Sequence, residues 1–121
     1  RFLDICIRAI DYCPPVDITF GEFLRAVCVP ARPEGMLIGE SCHTREELAR
    51  AAALGVDYAV VGPVLATTTH PGAMPLGWDG FARTIEHTRV PVYALGGLQS
   101  ADLDTALDHG AHGIAMRRGA W

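Results

Sequence analysis

Three consecutive threonines, Thr67, Thr68 and Thr69, are followed by His70, Pro71 and Gly72. Hydroxyls and an imidazole in one stretch can donate and accept hydrogen bonds at close quarters. Pro71 and Pro75 stiffen the backbone that carries them. All 10 basic residues are arginines. The absence of lysine removes Schiff-base chemistry and any ammonium clamp. An anion must therefore be met by arginine, by hydroxyls, or by backbone N–H groups at turns and helix starts. His109 and His112 are three apart, but Gly110 between them reads as a helix end, so no metal-ligand set is expected there. Cys6, Cys13, Cys28 and Cys42 lack zinc-knuckle or redox spacing. Their apolar neighbours point to buried free thiols in a reducing, cytoplasmic setting.

These groups need elements to hold them. Tyr58-Ala59-Val60-Val61 is an apolar run of the kind a strand buried on both faces shows, and Gly62-Pro63 stops it. Further strands are expected at Val16–Thr19, Met36–Gly39, Val90–Leu95 and Gly113–Met116. Helical spacing covers residues 2–10, then Phe20, Phe23, Leu24 and Val27. Thr44-Arg45-Glu46-Glu47 fits a capping box before a helix over Arg45–Leu54, with Gly55 as its C′ residue. Trp78, Phe81, Ala82 and Ile85 mark the next helix. Ser100 is expected to cap a last one carrying Leu103, Ala106 and Leu107 and ending at Gly110. Strict alternation of strand and helix implies a parallel sheet with right-handed crossovers. Ser41, Thr67–Thr69, Gly96-Gly97 and Arg117-Arg118 each follow the end of an expected strand. In a barrel those ends share the face that carries sites.

The chain has 121 residues, half of them hydrophobic, and a net charge of −4. That length suits one domain. The acidic balance argues against a nucleic-acid partner. No apolar run approaches the length of a membrane span, and no signal peptide is evident. The start at Arg1 rather than methionine points to a fragment, a processed product or a trimmed chain.

From about Val16 onward the chain resembles the thiamine phosphate synthase and TenI family. The residues that carry the resemblance are IGESCHTREELARAAALGVDYAVVGPV, the T-x-T of Thr67 and Thr69, then PLGWDGF, VPVYALGGL and HGAHGIAM. The resemblance implies a parallel (β/α) barrel of TIM type, here partial, with about five βα units against the full eight. Residues 1–15 would form an N-terminal helix outside the match, and residues 16–121 the partial barrel. It implies binding of a phosphorylated thiazole or a similar phosphate. By this likeness Ser41 approaches a diphosphate, Thr67 and Thr69 surround the thiazole phosphate, and Gly96, Gly97, Met116 and Arg117 touch phosphate. His43 and His70 are the candidate proton carriers for a tautomerase-like step.

Departures qualify the activity. His70 stands where the synthase has a phosphate-binding lysine. Mg²⁺ is implied only by the likeness, and no aspartate aligns with its ligand. Glu22 is the nearest carboxylate. The version of the domain fused behind a Nudix (MutT-like) hydrolase, with its HPG loop, is the closest resemblance. An alternative is therefore a non-catalytic regulatory or accessory module beside such a domain. A third reading is a homodimer in which two copies cover each other's raw sheet edges.

Overall fold

The computed structural model describes residues 34–35, 37–68 and 71–116. Strand β1 (Gly39–Cys42) leads to helix α1 (Arg45–Leu54), β2 (Tyr58–Val61), α2 (Gly77–Ile85) and β3 (Val92–Leu95). A 3₁₀ turn (Ser100–Asp102) then runs into α3 (Leu103–Asp108) and β4 (Gly113–Ala115). All neighbouring strands pair in parallel, in the order β1-β2-β3-β4, with Gly39 beside Tyr58, Val60 beside Tyr93 and Tyr93 beside Gly113. This is the expected α/β barrel portion. The expected strand at Val16–Thr19 and the helices before Pro30 lie outside the described residues.

Burial alternates along β1, β2 and β3, whereas in β4 only Gly113 is buried. Glu40, Cys42, Ala59, Val61, Val92 and Ala94 are buried and share one face. Leu48 and Ala51 of α1, Phe81 and Ile85 of α2, and Ala106 of α3 complete the core on that side. Ser41 is exposed, and Tyr58, Val60, Tyr93 and Leu95 are only half-buried on the other face. The sheet is thus packed under helices on one side. The reading of Tyr58–Val61 as buried on both faces is corrected, because Tyr58 and Val60 lie on the face opposite the helix-packed core. Small residues flank the tyrosines. A Cβ on Gly39 would strike the Tyr58 ring, and one on Gly113 would come within 3.1 Å of the Tyr93 ring. The two rings meet edge to face at 6.0 Å.

Four boundaries move, one of them the last strand's end, at Ala115 rather than Met116. The first described strand is Gly39–Cys42 rather than Met36–Gly39, so Ser41 lies within the strand. Ile38 accepts at its carbonyl from Asp57 N at 2.7 Å and donates its amide to Asp57 Oδ2, so residues just before the ladder already lie against the second unit. Valine 90 and Pro91 precede β3 instead of opening it. Gln99, not Ser100, heads the last helical segment: its amide donates to Asp102 Oδ2 at 2.8 Å, closing a capping box. Leu103 and Leu107 were expected on the core stripe, but only Ala106 of α3 is buried and Leu107 is 46% exposed.

Helix α1 forms where its end signals place it. Thr44 Oγ1 accepts from Glu47 N at 3.2 Å. Gly55 takes the left-handed conformation at φ 82° that a side chain would resist. Gly110, at φ 92°, ends α3 as expected.

Candidate functional site

The C-terminal ends of the four strands lie together, and the segment after β2 is built into them. Pro63 follows Gly62 through a cis peptide bond. Val64 N donates to Leu95 O at 2.9 Å, and Leu65 N to Gly96 O at 3.0 Å, so the chain keeps pairing with β3 past the end of the strand. Leu76 N returns to Pro63 O and Gly77 N to Val64 O, both at 2.8 Å, which ties the far end of the loop to its start. Residues 63–66 and 76–77 therefore form a fixed base for the loop that carries Thr67 and Thr68.

Gly96 and Gly97 need to be glycines for two separate reasons. Their φ angles are 109° and 66°, which L side chains rarely adopt. The loop base also fills the space beside them. A Cβ on Gly96 would lie 2.6 Å from Pro63 Cα and 3.0 Å from Val64 N; one on Gly97 would strike Ala66 O. The turn is thus pressed against Pro63–Ala66, and Thr67 leaves directly from that contact. Among the described residues, neither Gly97 nor Leu98 donates its amide to a backbone carbonyl. Successive N–H groups in a positive-φ turn make a concavity suited to an anion.

Ser41 stands exposed on the half-buried face, in register with Val60. His43 follows β1, and its Nδ1 lies 2.7 Å from Gly62 O. Its backbone amide donates to Glu47 Oε2 at 2.5 Å, one residue earlier than the Thr44 amide a capping box would use. Thr67 is half-buried, and Met116 is half-buried immediately past β4. The structure therefore gathers Ser41, His43, Thr67, Gly96, Gly97 and Met116 at one end of the sheet. Thr69, His70 and Arg117 lie outside the described residues.

Among the described residues, positive charge is sparse here. The described arginines are Arg45, Arg50, Arg83 and Arg89. Arg45 opens α1 three residues after β1, but its guanidinium turns along the helical layer. It donates to Arg83 O and lies 3.6 Å from Glu86 Oε2. For Mg²⁺ the described residues offer a poor donor set. They contain no group of three or more His, Cys, Asp or Glu side chains that could hold a metal ion. Glu47 is engaged at the helix cap, and Glu40 faces the core. Mg²⁺ prefers carboxylate and water oxygens, which these residues do not bring together. His109 stacks on Trp78 at 5.4 Å, and its Nδ1 lies 2.7 Å from Thr105 O, while His112 is exposed before β4.

Glu40 was not anticipated from the sequence. It is 5% exposed, and its Oε2 has no hydrogen-bond partner. Burial pushes its carboxyl up to about 7, opposed by Arg50 and reinforced by Glu47. Cys42, on the same face, is a free buried thiol pushed up to about 12, chiefly by burial and then by Glu40. It is thereby held as an inert thiol. The available signal was a carboxylate inside IGESC, at a position whose alternation demands an apolar side chain.

The likeness to known proteins runs through these segments. A thiamine-phosphate synthase from Chloroflexus aurantiacus is 41% identical over 81 residues, covering 66% of this chain and 38% of that protein. One from Thermosynechococcus vestitus is 37% identical over 82 residues, covering 68% of this chain and 23% of that protein. The solved thiamine phosphate pyrophosphorylase of Pyrococcus furiosus superposes with a TM-score of 0.64 at 28% identity, covering 96% of this chain and 54% of that one. The chain thus spans less than half the length of these curated relatives and about half of the solved structure. Residues 24–120 match the family described as thiamine monophosphate synthase (TMP-TENI), and the chain belongs to that family.

Proposed function

We propose that this chain binds a phosphorylated thiazole, or a similar small phosphate compound, at the C-terminal ends of its strands, in thiamine biosynthesis or salvage. The observation that carries this reading is the Gly96-Gly97 turn, with both φ angles positive and the Pro63–Ala66 backbone packed where its side chains would be. That arrangement leaves main-chain N–H groups as the anion donors, with Thr67 the next residue after the Pro63–Ala66 segment. Ser41, Thr69, Met116 and Arg117 extend the site by resemblance. Names of relatives support the substrate class: they are thiamine-phosphate synthases.

Binding and turnover are separable. Electrostatic stabilisation of a departing pyrophosphate is the main requirement of the synthase reaction. This chain has no lysine, and His70 replaces the family's phosphate-binding lysine. Those two facts favour ligand binding with weakened catalysis, as in a regulatory or accessory module beside a Nudix hydrolase domain. By resemblance, His70 is the candidate side chain for proton transfer.

The test is to incubate the protein with thiazole phosphate, pyrimidine diphosphate and Mg²⁺, assaying thiamine phosphate while calorimetry follows thiazole-phosphate binding. Binding supports the site, and turnover assigns it to the synthase. Binding without turnover assigns it to the accessory reading. No binding of thiazole phosphate overturns the proposal.

A further inference from the structure

The His43 ring reaches across to the next unit, 19 residues on, and its partner is the carbonyl of the residue that begins the loop. A carbonyl oxygen can only accept, so the ring nitrogen 2.7 Å away must donate: Nδ1 carries the hydrogen. Gly62 is held from three sides. Its amide donates to Cys42 O at 3.3 Å, its carbonyl accepts from His43, and a Cβ on it would strike Leu95 O. His43 is itself fixed by its amide's bond to the Glu47 carboxylate in the first turn of α1. A chain of contacts thus runs from Glu47 through His43 to Gly62. The next residues, Pro63 to Ala66, press on Gly96-Gly97 and deliver Thr67.

We infer that His43 is a positioning residue: its Nδ1–H anchors Gly62 and so sets where the loop base lies over the glycine turn. The role needs one donor at one place and no proton transfer. Asparagine places its side-chain NH₂ near the position of Nδ1, whereas glutamine places it near Nε2. The two amides therefore separate anchoring from general polarity.

The binding arm rests on the phosphate-site reading; a second arm does not. In the full chain, His43→Ala and His43→Gln should each weaken thiazole-phosphate binding by about tenfold, the loss expected for one hydrogen bond. His43→Asn should stay within about twofold of the unaltered protein. In the second arm, long-range ¹H–¹⁵N spectra of the unaltered protein should show the hydrogen on Nδ1. Amide exchange at Val64, Leu65, Leu76 and Gly77 should speed up in the alanine and glutamine variants and be restored in the asparagine variant. A ring with its hydrogen on Nε2 alone, or an asparagine variant that exchanges as fast as alanine, overturns the inference. If the unaltered protein binds no thiazole phosphate, the functional reading fails, and the tautomer and exchange results alone decide the role of His43. If His43→Ala does not fold, the tautomer and the asparagine–glutamine pair decide it.

Discussion

Glu40 shows how one side chain can set a pH dependence. Its folded carboxyl titrates near 7, against 4.5 for the ordinary group. Below pH 4.5 both folded and unfolded chains hold the proton, and burial carries no ionic penalty. Between 4.5 and about 7 the unfolded chain releases its proton first, so stability falls as pH rises; above 7 it stays low. A difference of this size corresponds to on the order of 3 kcal/mol. Glu40→Gln should flatten that slope, giving a variant more stable than the original at pH 8 and similar to it at pH 4.5. Urea denaturation at the two pH values measures this, and parallel slopes would refute it. At the glycine turn the expectation is steric. Gly97→Val places a branched Cβ against Ala66 O at a φ of 66°, and it should abolish thiazole-phosphate binding in calorimetry. Retained binding would show that the ligand sits elsewhere.

At the level of elements, Arg45–Leu54 was legible to the residue, because a hydroxyl cap and a closing glycine bracket it. Removing the cap should cost about 1 kcal/mol, so Thr44→Ala should lower the urea midpoint without altering the slope. The short strands were legible in number and order within the described residues, and Tyr58–Val61 was legible in position, but Gly39–Cys42 was not. Gly39–Cys42 was displaced because the Leu37-Ile38 pair is the more apolar half of the segment. The ladder instead begins where Gly39 makes room for the Tyr58 ring. Leu103 and Leu107 misled for a related reason. Their spacing is helical, but with a 3₁₀ turn before it α3 buries only Ala106. The glycine turn at Gly96-Gly97 was legible, because positive φ is a backbone demand that a glycine pair signals directly. The His43–Gly62 bond was not, since it joins residues 19 apart and leaves no local pattern.

For the molecule as a whole, the described core depends on one aromatic ring. Phe81 is fully buried among Val61, Ala94 and Ile85 in the core cluster, with Trp78 edge-on at 6.1 Å. Phe81→Ala should cost about 3–5 kcal/mol, a large fraction of the stability of a domain this size. Thermal melts compared with Leu107→Ala, which alters an exposed side chain on α3, will show whether that core is the limiting one. The order β1-β2-β3-β4 has a consequence for how the chain is assembled. Each strand lies beside the one that precedes it in the sequence, so every pairing closes a loop of one unit only. Such a sheet can grow in the direction of synthesis, each arriving unit docking on the last, in the manner of a stacked-repeat array.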